Sequence, residues 1–174
     1  MIKSFCGKMA KIAGSAFISD TACIIGDVEI GEESSVWSGA VIRSDCGIML
    51  PGHRTRIGRN THIEDNAVVH CTGSIGNNVV IGHGAVVEAF KVGDNVLIGS
   101  NATVLAASEI GSFCIVAGGS VIPERMQIPD KSFVAGVPAK IKSEITTRQL
   151  QYIEETCSNL QVLLRDYRAA GETI

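Results

Sequence analysis

Two histidines and one glutamate in this sequence have side chains that suit a metal ion. His70 and Glu88 are eighteen residues apart, and His83 lies between them. Two imidazoles and a carboxylate can hold Zn²⁺ with one position open to water, and the same set is typical of Fe²⁺ sites. An open metal lowers the pKa of its bound water toward about 7, which yields a hydroxide able to attack a carbonyl-like carbon. The three residues are therefore candidate metal ligands.

An aliphatic residue recurs at every sixth position through most of the chain. A period of six fits neither an α-helix nor a long alternating strand. It is typical of hexapeptide-repeat β-helices, in which short strands alternate with corners. The sequence therefore predicts an all-β parallel β-helix of about seven triangular coils. The repeat positions are Ile12, Ile18, Ile24, Ile30, Val36, Ile42, Ile48, Ile57, Ile63, Val69, Ile75, Ile81, Val87, Val92, Ile98, Val104, Ile110, Val116, Ile122, Ile128 and Val134.

The repeat is interrupted where the spacing from Ile48 to Ile57 grows by three residues. The insertion, residues 49–54, contains a Pro-Gly turn signal and predicts a loop that projects from a corner. The spacing also shortens by one between Val87 and Val92.

The register of the repeat predicts which face each candidate residue occupies. His70 and Glu88 directly follow inward aliphatic residues, so both point outward and should stack about 4.8 Å apart on adjacent coils. Counting hexads along the chain places Arg43, Glu64 and His83 on a different face. A single chain would not easily bring His83 to the other two ligands, whereas a second copy could. The register thus predicts a cyclic homotrimer with metal ligands shared across each interface.

The six-residue period ends after Val134. Pro138 cannot donate to a strand ladder, and apolar residues recur at helical spacing from Ser143 onward. The sequence therefore predicts a β-helix at residues 1–140 and an amphipathic helix at residues 141–174, packed along the coils or onto a neighbour. The predicted apolar stripe consists of Ile145, Leu150, Ile153, Cys157, Leu160, Leu164 and Tyr167.

Composition argues against several classes of function. The net charge of −3 comes without a basic stripe, so no nucleic-acid partner is expected. No apolar run approaches the ~20 residues of a membrane-spanning helix, and the first residues lack the apolar core of a signal peptide. We therefore expect a cytoplasmic protein, with no membrane partner. Its six cysteines, which form no C-x-x-C pair, are expected to be reduced thiols.

Three segments of the chain resemble the γ-class carbonic anhydrases. They are 40–45 (AVIRSD), 62–70 (HIEDNAVVH) and 81–85 (IGHGA). The resemblance runs from about residue 10 to the helix. It implies a left-handed β-helix, a homotrimer, and Zn²⁺ or Fe²⁺ at each subunit interface. The implied reaction is the reversible hydration of CO₂ to bicarbonate by metal-bound hydroxide.

The resemblance also implies roles for single residues. His70 and His83 match metal-ligand histidines from opposite sides of the interface. Arg43 matches an arginine that pairs across subunits with an aspartate, here Asp65.

Further residues of the implied site include two that depart from the family pattern. Asp45 matches an acidic residue near the site, and Tyr152 lies where some relatives place a tyrosine beside the metal. Glu88 replaces the third histidine of the family, and Glu64 replaces a glutamine that orients the attacking water. An anionic ligand makes bound water less acidic, so these changes imply a weakened activity.

Two other functions fit parts of the sequence. Residues 133–140 resemble the tail of hexapeptide-repeat acyltransferases that use acetyl-CoA, in which a histidine would act as general base without a metal. Alternatively, Glu64 and Glu88 would mark a non-catalytic trimer whose metal site has degenerated. Fold alone does not choose between these functions.

Overall fold

Short strands separated by tight corners make up the described part of the chain as far as residue 144, and one α-helix follows. The structure is a computed structural model that describes residues 1–45 and 54–171. In chain order the strands are β1 Ile2–Lys3, β2 Lys11–Ile12, β3 Phe17–Ile18, β4 Cys23–Gly26, β5 Val28–Ile30, β6 Ser35–Val36, β7 Val41–Ser44, β8 Thr55–Ile57, β9 His62–Ile63, β10 Val68–His70, β11 Ser74–Ile75, β12 Val80–Ile81, β13 Val86–Val87, β14 Lys91–Val92, β15 Leu97–Ile98, β16 Thr103–Val104, β17 Glu109–Ile110, β18 Ile115–Val116, β19 Val121–Ile122, β20 Gln127–Ile128, β21 Ser132–Gly136 and β22 Ala139–Glu144.

These strands form three sheets, which we call faces A, B and C. Within the described residues, face A stacks β1-β4-β7-β10-β13-β16-β19 and face B stacks β2-β5-β8-β11-β14-β17-β20. Face C stacks β3-β6-β9-β12-β15-β18-β21, and the antiparallel strand β22 extends it beyond β21. Every third strand therefore returns to the same face, which confirms the predicted parallel β-helix of about seven coils.

The core is a column of branched aliphatic side chains that point inward from the three faces. Ile63, Ile81 and Ile98 stack in register on consecutive coils and are fully buried. Burying one such side chain contributes about 1.5–3 kcal/mol. Since no coil can cover its own inward residues, this stabilisation exists only when the coils stack.

The insertion interrupts the hexad series earlier than the sequence predicts. β8 pairs with β5 on face B, with Ile57 opposite Ile30, so Ile57 occupies the hexad position directly after Ile42. The step from Ile42 to Ile57 therefore spans one hexad position, and the face that the prediction assigned to Ile57 was wrong by one hexad. An aliphatic residue inside an insertion cannot be distinguished by spacing alone from one inside a coil. Ile48 and residues 49–53 of the predicted loop at 49–54 lie outside the described residues.

This shift of register changes the face assigned to Arg43. The prediction placed Arg43 on a different face from His70, but the structure pairs the two residues on adjacent strands of face A. Glu64 and His83 do share a different location, at the corner between faces C and A, as predicted. The error in counting hexads affected only residues that precede the insertion.

Helix α1 spans Thr147–Ala169 and packs against face C. Its N-terminus is fixed by a capping box in which Thr146 and Gln149 satisfy each other's backbone amides. Two clusters of buried residues join the helix to face C. One contains Val80, Leu97, Ile115, Ile153, Cys157 and Leu160, and the other contains Phe17, Trp37 and Leu164. Among the described residues, no helix has the length and apolarity needed to cross a bilayer.

The outward side chains differ in character from face to face. Face C is covered by the helix, and face B carries a column of polar and charged residues. Face A carries small and β-branched side chains that remain half-exposed. The face B column consists of Lys11, Glu29, Arg56, Ser74, Lys91, Glu109 and Gln127. The face A column consists of Cys23, Val41, Val68, Val86, Thr103 and Val121.

A buried histidine links face C to the helix. Nδ1 of His62 lies 2.7 Å from the Ser35 hydroxyl, and its Nε2 lies 3.1 Å from the Asn60 side-chain oxygen. Gln161 of the helix donates to the same Asn60 oxygen at 2.5 Å. Because His62 is fully buried, desolvation lowers its pKa to about 4.

This pKa predicts that acid destabilises the fold. The unfolded chain, in which His62 has its usual pKa of 6.5, takes up a proton before the folded chain does. The stability that neutral His62 contributes is therefore present above about pH 6.5 and is lost toward pH 4, by about 3 kcal/mol in all. Urea unfolding of the wild type and of His62→Asn, at about pH 7.5 and about pH 4.5, should show a smaller pH dependence for the variant. Equal pH dependence in both proteins would contradict this assignment.

Candidate metal centre

His70 lies between two carboxylates on one edge of face A. Its Nδ1 is 3.2 Å from Oε1 of Glu88, and its Nε2 is 3.4 Å from Oδ1 of Asp45. The contact with Glu88 follows from the stacking of β10 on β13, in which Val69 lies opposite Val87. The predicted proximity of His70 and Glu88 is therefore present within a single chain. The imidazole is 30% exposed, so solvent and small molecules can reach it.

Asp45 is held in turn by Arg43. The Arg43 guanidinium donates to Oδ2 of Asp45 through Nε at 3.0 Å and through Nη2 at 2.7 Å. Burial by itself raises the pKa of Asp45, but the Arg43 hydrogen bonds and charge, together with nearby His70, outweigh it and lower this pKa below the usual value. Asp45 thus remains a carboxylate beside the imidazole.

His83 lies between two other carboxylates, at the corner between faces C and A. Its Nδ1 is 3.0 Å from Oδ2 of Asp65, and its Nε2 is 3.5 Å from Oε2 of Glu64. Burial raises the pKa of Glu64, and the charge of Asp65 adds to this effect against the opposing charge of His83. The His83 side chain is 58% exposed and projects from the surface.

The two histidines lie at opposite edges of face A. His70 ends strand β10, whereas His83 precedes strand β13 by a corner. The described residues therefore place two separate carboxylate-flanked imidazoles on one protomer. If face A of one copy packs against face A of another, the edge that carries His70 in one copy can meet the edge that carries His83 in the other.

Tyr152 lies on the helix, away from both histidines in sequence. Its side chain is 56% exposed. Gln161, on the polar side of the helix, reaches Glu33 and Asn60 at the corner between faces B and C. Tyr152 precedes Gln161 by nine residues, or about two and a half turns, so it lies on the opposite side of the helix from Gln161.

The donor types at the His70 edge suit a divalent metal. Side-chain donor atoms of Asp45, His70 and Cys71 lie within 4.8 Å of one another. Cys71 is disulfide-bonded, so its sulfur is not a thiolate ligand, and the nitrogen and oxygen donors remain. Imidazole and carboxylate together suit Zn²⁺ or Fe²⁺. His70 has such a carboxylate on each side, Asp45 and Glu88.

Sequence reasoning missed two features of this region. The contact of Asp45 with His70 depends on the corrected register, since only then do Arg43 and Asp45 lie beside His70. The expectation that all cysteines are reduced is wrong for Cys71, because spacing in sequence does not reveal which residues the coils bring together. The described free thiols are Cys6, Cys23, Cys114 and Cys157.

Comparison with known proteins identifies the family. Residues 91–124 match the bacterial transferase hexapeptide family (six repeats). A carbonic anhydrase of Geobacillus kaustophilus is 36% identical over 99% of this chain and 90% of its own length. The mitochondrial gamma carbonic anhydrase 2 of Arabidopsis thaliana is 33% identical over 82% of this chain, which spans only 53% of that protein. A hexapeptide transferase family protein from Anaplasma phagocytophilum superposes with a TM-score of 0.87 at 30% identity, over 96% of this chain and 98% of its own.

The fold and these similarities define a hexapeptide-repeat β-helix protein. Within that class, the chain belongs to the γ-class carbonic anhydrase family, as the sequence resemblance indicated. Because the chain covers a little over half of the first plant relative, the activity and partners of the whole protein are a matter for proposal.

The geometry at Glu88 predicts a direct effect on metal affinity. Glu88→Ala removes the carboxylate beside His70, and Zn²⁺ affinity measured by competition with a chelator should fall by at least ~10-fold. Glu109→Ala removes a carboxylate from face B and serves as the matched control, with affinity unchanged. An equal affinity of both variants would show that Glu88 is not part of a metal site.

Proposed function

We propose that this chain is a trimeric, metal-dependent carbonic anhydrase-like enzyme that hydrates CO₂ reversibly. The observation that carries the proposal is the placement of two carboxylate-flanked histidines at opposite edges of one apolar face. Packing of that face between copies would bring His70 and Glu88 of one protomer to His83 of the next. The proposed resident metal is Zn²⁺, with Fe²⁺ as the alternative that the same donor set accepts.

The contrast between the three faces supports face A as the interface. Face C is already covered by the helix, and most of the polar and charged column of face B is exposed. Face A leaves a column of valines half-exposed, and a flat apolar surface of this kind is typical of contacts between subunits. We propose a cyclic trimer, in which one edge of face A meets the opposite edge of the next copy through a heterologous interface.

The proposed site assigns a task to each nearby side chain. A bound divalent metal acts as a Lewis acid and makes water nucleophilic near neutral pH. Glu64 and Asp65 flank His83 and accept hydrogen bonds in the pocket. Arg43 holds Asp45 and places one positive charge next to the acidic cluster.

The two carboxylates that depart from the family pattern bear on rate. Glu88 as a ligand would neutralise part of the charge of a bound metal, which would make its water a weaker acid than three histidines would. Glu64 adds negative charge where the anionic product forms, provided that it is ionised. We therefore propose an anhydrase slower than relatives with three histidines. Arg43 paired with Asp65 across the interface, and Tyr152 beside the neighbouring site, remain proposals of the same kind.

The trimer interface can be tested with one charge on face A. Val68→Asp places a carboxylate in the apolar column and should dissociate the trimer, because a buried unpaired charge costs several kcal/mol. Ser74→Asp is the matched control, because Ser74 lies on the next strand, β11, on face B. This variant should leave the trimer intact. Light scattering coupled to size exclusion measures both masses. A trimeric Val68→Asp protein would contradict the assignment of face A.

A shared site can be tested by mixing two inactive variants. His70→Ala and His83→Ala should each lose bound metal and CO₂ hydration. When the two are unfolded together and refolded at equal amounts, about one quarter of the interfaces regain His70 from one chain and His83 from the other. Metal content and hydration rate should recover to that fraction of wild type. No recovery, in trimers that form normally, would mean that the two histidines do not share a site.

The acyltransferase alternative is favoured by the transferase hexapeptide match at residues 91–124 and by the similar transferase-family structure. In that function an imidazole would take a proton from an acceptor hydroxyl or amine, and a bound metal would have no part in the transfer. Thermal stabilisation by CoA, together with acetyl transfer from acetyl-CoA, would favour it. Trimers that bind metal but show no hydration above background would instead favour the non-catalytic alternative.

A further inference from the structure

We propose that Asp45 is a positioning residue for His70, one that accepts the Nε2 proton of the imidazole and leaves Nδ1 as the metal-binding nitrogen. This inference rests on the proposed metal site and specifies how the chain would build it. It also gives Arg43 a role inside its own subunit, in addition to the proposed pairing with Asp65 of a neighbour.

The first part of the argument is the position of the two carboxylates around the ring. A neutral imidazole has one nitrogen free to bind metal and one that carries a proton. Glu88 lies on the Nδ1 side at 3.2 Å, and Asp45 lies on the Nε2 side at 3.4 Å. A metal shared by His70 and Glu88 would therefore be bound by Nδ1, and the Nε2 proton would then be available for donation to Asp45.

The second part is that Asp45 is itself held in place. Arg43 donates two hydrogen bonds to Oδ2 of Asp45, so Oδ1 remains available to His70. Asp45 is only 16% exposed at its side chain, which limits competition from water. A carboxylate in this position fixes both the tautomer and the orientation of a ligand histidine.

The third part is the backbone that sets these distances. Arg43 and His70 are register partners on adjacent strands of face A, and Asp45 directly follows the end of strand β7. Arg43, Asp45 and His70 therefore sit on consecutive coils held by parallel hydrogen bonds. The arrangement belongs to one chain and needs no partner subunit, so it is present before the trimer assembles.

The identity of the ligand nitrogen can be read directly by NMR. Wild-type protein labelled with ¹⁵N only in its histidine rings is loaded with Zn²⁺, and long-range proton–nitrogen correlations are recorded. His70→Gln assigns the ring. We expect His70 with Nδ1 metal-bound and Nε2 protonated. A spectrum in which Nε2 of His70 binds the metal would overturn the inference and leave the proposed metal site intact.

Variants of Asp45 test the positioning role by affinity. Asp45→Leu is nearly isosteric but accepts no hydrogen bond, and its Zn²⁺ affinity should be ~10–100-fold weaker than that of wild type. Asp45→Asn keeps an acceptor oxygen and should retain more of the affinity. Asp20→Leu changes an exposed carboxylate remote from His70 and should bind as wild type does. Wild-type affinity in Asp45→Leu would overturn the inference.

The failure of this inference is separable from the failure of the proposed function. Metal content of the wild-type trimer is measured before any variant, and absence of metal would overturn both proposals. Circular dichroism and size exclusion check that Asp45→Leu folds and assembles. If it does not, the wild-type spectrum alone decides, because the ligand nitrogen of His70 is observed there without any substitution near the site.

Discussion

Stacking of inward aliphatic side chains in a six-residue register is the constraint on which the rest of the structure depends. Each coil exposes its branched residues until the next coil covers them, and Ile63, Ile81 and Ile98 follow one another on this axis. Since register fixes the height and face of every outward residue as well, the same packing that stabilises the fold also decides which polar side chains become neighbours.

The three faces divide the tasks of the molecule between them. Helix α1 covers face C and closes over buried His62, so that face is structural. Face B meets water through its charged column. Face A keeps valines half-exposed between two edges that carry His70 and His83. In the proposed enzyme, packing of this apolar surface between subunits would also bring the two histidines together.

Electrostatics at these edges sets this chain apart from a site built on neutral ligands. His70 and His83 are each flanked by two carboxylates within 3.5 Å, whereas the sequence resemblance implies a histidine and a glutamine at the positions of Glu88 and Glu64. The added negative charge favours cation binding and opposes hydroxide and bicarbonate. The positive charge of Arg43 offsets part of this negative charge at Asp45. Arg43 and His70 both lie beside that carboxyl, and both lower its pKa.

The sequence alone determined the coil, because aliphatic residues at a period of six are buried together when short strands stack as a β-helix. The same register predicted that Glu88 stacks on His70. It could not place Arg43, since spacing does not reveal whether Ile48 belongs to a coil or to an insertion. Only the tertiary structure decided that β8 follows β7 around the prism, and hence that Arg43 and Asp45 lie beside His70. It also decided the disulfide state of Cys71 and the flank of Tyr152. These features depend on distances between segments, which strand pairing and side-chain packing fix and which a linear pattern does not contain.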